Sequence, residues 1–136
     1  MSELIPLKIP NGWAVCDNKF YDTEPLYDKD GFIENWHEGF IEDVLWICEC
    51  KTLDNGNIGI PDFNCFNIDL GWYPESTREG EYKARLFWDS DNERTELDSI
   101  SSQNRILIKE KIEYWMADIF ENYSEYQFKM LNLSQK

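Results

Sequence analysis

With 136 residues, 42% of them apolar and 15% aromatic, the chain has the size of one domain and enough large side-chain area to build a single core, which excludes global disorder. Its 27 acidic residues against 13 basic ones leave a formal net charge of −14, a field that repels phosphate and makes DNA, RNA and anionic membrane surfaces poor partners. The same field attracts a basic protein and speeds its encounter by about 10–10³-fold at low salt, although acidity of this kind also serves solubility alone.

The first apolar segment, Trp13-Ala14-Val15-Cys16, follows the turn signal Pro10-Asn11-Gly12 and predicts a short strand. Residues 17–27 read as an irregular loop pinned by the buried rings of Phe20 and Tyr21. Residues 32–41 have the length of a short helix, with Gly39 counting against it. Residues 44–51 predict a strand, and Asp54-Asn55-Gly56-Asn57 after it is the strongest hairpin cue, because Asn-Gly readily takes the positive φ values of a type I′ turn. The return strand starts near position 57 or 58, meets a bulge or an edge at Pro61, and runs on through residues 63–70. There Phe66, Ile68 and Leu70 alternate with Asn67 and Asp69, which gives one buried and one wet face.

Residues 74–81 form a turn-rich loop, residues 82–88 alternate again and should pair antiparallel with the preceding strand, and residues 89–98 read as a second polar loop. Ile108, Ile112, Trp115, Met116, Ile119, Phe120 and Tyr123 recur at helical spacing, with Ser101 or Ser102 as the cap. The expected fold is α+β, one domain over 1–136, in which an antiparallel sheet of about four strands is covered on its apolar face by a long C-terminal helix.

Chemistry-bearing motifs are sparse. Cys16, Cys48, Cys50 and Cys65 fit no CxxC pair and no zinc spacing, so they read as reduced, core-type thiols, Cys48 and Cys50 sharing one strand face as the only candidate redox pair. His37 is the single histidine, and neither a Gly-x-Ser-x-Gly elbow nor His-Glu-x-x-His occurs. Asp28-Lys29-Asp30-Gly31 has the look of a calcium loop, but placing Gly31 at its sixth position puts Leu26 first and His37 twelfth, where acids are needed. An acidic turn is the simpler reading. There is no GxGxxG, no P-loop and no dense basic stretch. No catalytic, metal-binding or cofactor-binding residue is therefore assigned, and no cofactor is expected. The absence of a leader-like N-terminus and of any run of 18 apolar residues points to a cytoplasmic protein.

What stands out is an asymmetry. Residues 17–49 carry ten acids against two lysines, a local balance of −8, interleaved with Phe20, Tyr21, Tyr27, Phe32, Trp36, Phe40 and Trp46. Aromatic anchors within an acidic rim suit a tight interface with a basic protein. The competing reading puts the rings in the core and the acids on a solvated face, but seven rings cannot all turn inward from a loop-rich stretch. The candidate partner-binding residues are Tyr27, Asp28, Asp30, Glu34, Trp36, Glu38, Glu42 and Asp43, with the loops 74–81 and 89–98 as the alternative binding face.

Two stretches carry a resemblance: Ile9-Pro10-Asn11-Gly12-Trp13-Ala14-Val15 with Asn18-Lys19-Phe20-Tyr21-Asp22, and Leu70-Gly71-Trp72-Tyr73-Pro74-Glu75. In these stretches the chain resembles small immunity proteins of bacterial polymorphic-toxin and contact-dependent growth inhibition systems. The resemblance implies a cytosolic, non-enzymatic protein that neutralises a cognate toxin domain, frequently a nuclease, by covering its active site or substrate groove. A nuclease groove is basic because it holds phosphates, so a carboxylate-studded surface can occupy the same ground. The shared motifs are apolar and turn-forming and do not locate the interface. The alternatives from other classes are a small carboxylate-using enzyme or metal-binding domain, and a structural adaptor subunit.

Overall fold

A computed structural model describes residues 2–123, 125 and 126. Their elements, in chain order, are β1 (Trp13–Asn18), β2 (Leu45–Glu49), β3 (Lys51–Thr52), β4 (Ile58–Gly59), β5 (Cys65–Tyr73), β6 (Glu81–Asp89), β7 (Arg94–Ser102) and α1 (Arg105–Glu121). Five strands form one sheet in the order β1-β2-β5-β6-β7, antiparallel at every step, while β3 and β4 pair only with each other. The architecture is the expected α+β one, with five strands in the main sheet and not four.

Period-two alternation decides which face the helix covers. Phe66, Ile68, Leu70 and Trp72 of β5, Leu45 and Ile47 of β2, and Tyr82, Ala84 and Leu86 of β6 are all buried in one cluster with Ile108, Ile112, Trp115, Met116 and Ile119 of α1. Phe120, placed on the same stripe by its spacing, stays half-exposed at the helix margin, its ring 5.5 Å from that of Trp13. The helix is capped by Asn104, whose side chain accepts from the backbone N–H groups of Ile106 and Leu107 at 3.0 and 3.3 Å. The serines expected there belong to β7, and Ser102 Oγ accepts from the Asn104 N–H at 3.0 Å.

The missed strand is β7, whose first half falls in the expected loop 89–98. Its sequence Arg-Thr-Glu-Leu-Asp-Ser-Ile-Ser-Ser has two large apolar residues and a register shift at the first of them, so no clean alternation survives. Phe87 faces Glu96 and Leu86 faces Asp98, which leaves Leu97 as the extra residue, turned into the core. An edge strand of this polarity is shielded from pairing with another chain.

The helix expected over 32–41 is reduced to a single 3₁₀ turn, Trp36–Glu38, ended by Gly39 at φ +107°. A Cβ on Gly39 would sit 2.6 Å from the Lys19 carbonyl oxygen, so both the dihedral and the contact demand glycine. The Asn-Gly hairpin exists as β3–β4, but only Gly56 takes a positive φ and the turn closes from Gly56 N–H to the Leu53 carbonyl, a wider loop than type I′. The return strand stops at Gly59, and β5 starts afresh at Cys65 beside β2.

The cysteines depart from the reduced expectation. Cys16, in the irregular stretch of β1, is joined to Cys48 of β2 as a disulfide, while Cys50 and Cys65 are free. The spacing gave no hint of this pair because the two strands meet only through tertiary pairing. Among the described residues no helix is long and apolar enough to cross a membrane.

Candidate functional site

Residues 26–34 fold back on themselves. Tyr27 bridges Ile33, the Asp28 N–H donates to the Phe32 carbonyl at 2.9 Å, and the Glu34 N–H donates to the Leu26 carbonyl at 2.7 Å. At the tip, Asp28 Oδ1 accepts from the N–H groups of Asp30 and Phe32 at 2.8 and 3.0 Å, and Gly31 takes φ +86°. This is the acidic turn read from the sequence, with Asp28 closing it. The outer side of the hairpin lies along residues 76–78, through a Phe32–Thr77 bridge and bonds from Ile33 N–H to the Ser76 carbonyl and from Arg78 N–H to the Gly31 carbonyl, both 2.9 Å.

Two buried side chains fasten this hairpin to the body. Ile33 enters the core, and Asn35 accepts from Leu26 N–H at 2.8 Å while donating to the Glu24 carbonyl at 3.0 Å. With its backbone committed, the hairpin turns large apolar groups outward: Leu26 is 58% exposed, Phe32 58%, Trp36 51% and Tyr27 38%. The Arg78 guanidinium lies 4.7 Å from the Tyr27 ring centre, and the His37 ring stands edge-on to Trp36 at 5.6 Å. Of the seven aromatics in 17–49, Phe20 and Phe40 are in the core, Tyr21 is half-buried, and Tyr27, Phe32, Trp36 and Trp46 are exposed.

The acids divide by environment. Asp22 and Glu24 both pair with Arg105 at the start of α1, and Asp17 pairs with Lys19 at 3.4 Å. Glu49 is buried, accepts from Phe66 N–H at 3.1 Å and lies 3.7 Å from Lys51; burial holds its pKa above the ordinary value. Asp30 and Glu34 are exposed on the hairpin, and no ion pair involves them among the described residues. Glu38 is half-buried. The structure thus gathers Tyr27, Asp28, Asp30, Glu34, Trp36 and Glu38 on one continuous segment. Glu42 and Asp43 lie beyond Phe40, on the approach to β2, and Asp43 lines a different feature.

That feature is a cavity of about 350 Å³ on the sheet face opposite the helix, lined by Asp17, Asp43, Trp46, Asn67, Asp69 and Arg94 among others. The register places Asp17, Trp46, Asp69 and Arg85 directly opposite one another across β1, β2, β5 and β6. Trp46 Nε1 donates to Asn67 Oδ1 at 2.9 Å, Asn67 Nδ2 to Asp89 Oδ2 at 2.6 Å, and Arg94 grips Asp89 through two bonds of 2.7 and 2.9 Å. Asp69 is half-buried; loss of hydration, and after it the Asp43 charge, holds its carboxyl pKa above the ordinary value. Sequence reasoning marked Asn67 and Asp69 as the wet side of a strand but gave no sign that Asp43, Trp46 and Arg94 converge on them, because the convergence depends on strand order.

Compared with protein families, with curated proteins and with solved structures, the chain matches none of them. Its class is therefore defined by the fold alone, a five-stranded antiparallel sheet backed by one helix.

Proposed function

We propose that the protein is a binding module of the immunity type, which neutralises a basic, nuclease-type toxin domain in the cytoplasm by covering its active site or groove, and that the hairpin 26–38 is its docking surface. The observation that carries this reading is the outward display of Leu26, Tyr27, Phe32 and Trp36 on a backbone already held by hydrogen bonds, beside the unpaired carboxylates of Asp30 and Glu34. Exposed apolar side chains grouped on one segment mark interaction sites, and aromatic residues supply most hot spots. A hairpin ordered before binding loses little further conformational entropy on docking. The unpaired acids set the sign of the partner, because Lys and Arg on its surface would be steered in and paired.

The test is co-expression with the toxin domain encoded by the neighbouring gene. Cells carrying the parent chain should survive, and cells carrying Phe32→Ala/Trp36→Ala or Asp30→Lys/Glu34→Lys should not, with the far-ultraviolet spectrum and melting temperature of each variant unchanged. Protection that survives both pairs of substitutions would move the docking surface elsewhere. A neighbouring product without toxicity would remove the immunity reading.

A further inference from the structure

The helix-free face of the sheet offers a second recognition feature that the hairpin does not use. Its centre is the indole of Trp46, 45% exposed, standing in the cross-strand row between Asp17 and Asp69. Directly opposed residues on one sheet face have Cβ atoms about 4.5–5.5 Å apart, so Asp17 and Asp69 flank the position of Trp46 in the row. The ring cannot swing freely, because its N–H is held by Asn67, itself held by Asp89 and Arg94.

The charges around the cavity are unequally satisfied. Arg94 is bound twice by Asp89, Arg85 faces Glu96 at 3.5 Å and the Tyr73 ring at 5.8 Å, and Lys19 lies against Asp17. Asp43 and Asp69 enter no ion pair among the described residues. Loss of hydration, and after it the Asp43 charge, holds the Asp69 pKa above the ordinary value, although Arg94 and Arg85 pull it the other way. The arrangement therefore favours a cation from outside. The acids are not grouped closely enough to ligate a metal together: no metal-type cluster of three or more His, Cys, Asp or Glu occurs among the described residues. An aromatic wall with flanking carboxylates matches a planar guanidinium, which stacks on indole and bonds carboxylate through a two-pronged edge.

We infer that this cavity is a socket for an arginine side chain of a protein partner, its guanidinium stacked on Trp46 and paired with Asp69 and Asp43. The inference rests on the protein-binding reading only for the source of the arginine; the socket stands on its own geometry. Its volume, about 350 Å³, leaves room for an inserted guanidinium side chain.

The experiment uses the full chain labelled with nitrogen-15 and carbon-13, titrated at low ionic strength with the capped tripeptide Gly-Arg-Gly, with its citrulline counterpart as neutral isostere and its lysine counterpart as a non-planar cation. The arginine peptide should give saturable shifts at the Trp46 indole N–H and the Asp69 carboxyl carbon. The lysine peptide should bind several-fold more weakly and the citrulline peptide not at all. Asp69→Asn and Trp46→Ala should each weaken the arginine peptide at least tenfold while the rest of the spectrum keeps its dispersion, and Phe32→Ala/Trp36→Ala should leave the titration unchanged. Shifts that fail to saturate, that citrulline reproduces, or that persist in Asp69→Asn overturn the socket. No toxin is present, so its failure leaves the hairpin reading standing, and loss of protection by hairpin variants leaves the socket standing.

Discussion

The two faces of the five-stranded sheet are made from alternate residues of the same strands, and they are organised by different physics. On the helix side, Ile47, Ile68, Leu70 and Leu86 meet Ile112, Trp115 and Met116 without exposed area. On the other side, Trp46, Asn67, Asp89 and Arg94 form a hydrogen-bonded chain running from β2 to β7, and Arg85 of β6 faces Glu96 of β7. The first face gains from burial, which is indifferent to the identity of the partner atoms. The second is set by charge and direction, and two of its acids, Asp43 and Asp69, enter no ion pair among the described residues. Stability is concentrated on one side of the sheet and unmet binding capacity on the other.

The sharpest break of that contrast is Trp115→Ala. Deleting a fully buried indole, along with its 3.0 Å bond to Asp98, should cost about 3–5 kcal/mol, measured by denaturant melts. A melt unchanged by the substitution would show that the helix stripe does not carry the core. Next in size is the Cys16–Cys48 bond, which closes a loop of sequence separation 32. Its reduction should lower stability by about 2–4 kcal/mol. Alkylation of the unreduced, denatured chain should label Cys50 and Cys65 only; four labelled cysteines would place the chain in the reduced state expected of the cytosol.

The hairpin 26–38 should behave like neither face of the sheet. Phe32→Ala and Trp36→Ala remove exposed rings, so the melt should move by no more than about 0.5 kcal/mol. Loss of affinity for a docked partner should reach about 2 kcal/mol or more, mostly as faster release. Equal effects on stability and binding would show that these rings support the fold and do not serve as contacts.

How much of this was legible in the sequence follows the same division. The stripe from Ile108 to Ile119 and the alternation Phe66, Ile68, Leu70 were readable because burial writes a period into one contiguous segment. β7 was not, since its bulge at Leu97 breaks the period and its remaining residues suit a loop equally well. The hairpin was readable in composition, as acids and rings together, but not in shape: Asn35, which holds it, is a single buried amide whose partners lie nine and eleven residues away. The cavity was least legible of all, because Asp17, Asp43, Asp69 and Arg94 become neighbours only once β5 is inserted between β2 and β6. The pairing of Cys16 with Cys48 was hidden for a like reason.

The smallest expected effect gives the closest comparison, between two aspartates that serve opposite sides of the sheet. Asp98 accepts from Trp115 Nε1 at 3.0 Å and lies 3.3 Å from Lys111 Nζ. Partial burial raises its pKa, but the indole N–H and the Lys111 charge outweigh it and hold the carboxyl below the ordinary value. The folded state therefore prefers ionised Asp98, and this contribution is present above the unfolded-state value near 3.8 and lost as pH falls through the lower folded one. Asp69 carries the reverse sign. Burial and the Asp43 charge raise its pKa, so the folded state prefers the proton, and that contribution is present below 3.8 and lost as pH rises through the folded value. Asparagine keeps the shape and removes the charge. At pH 7, Asp98→Asn should be destabilised, by about 1 kcal/mol or less at so exposed a pair, whereas Asp69→Asn should be as stable as the parent or more so. Urea melts at pH 7 and pH 3 should show both differences shrinking on acidification from opposite directions. If Asp69→Asn loses stability at pH 7, Asp69 is held by a partner within the chain, and the open face of the sheet has no unmet charge to offer.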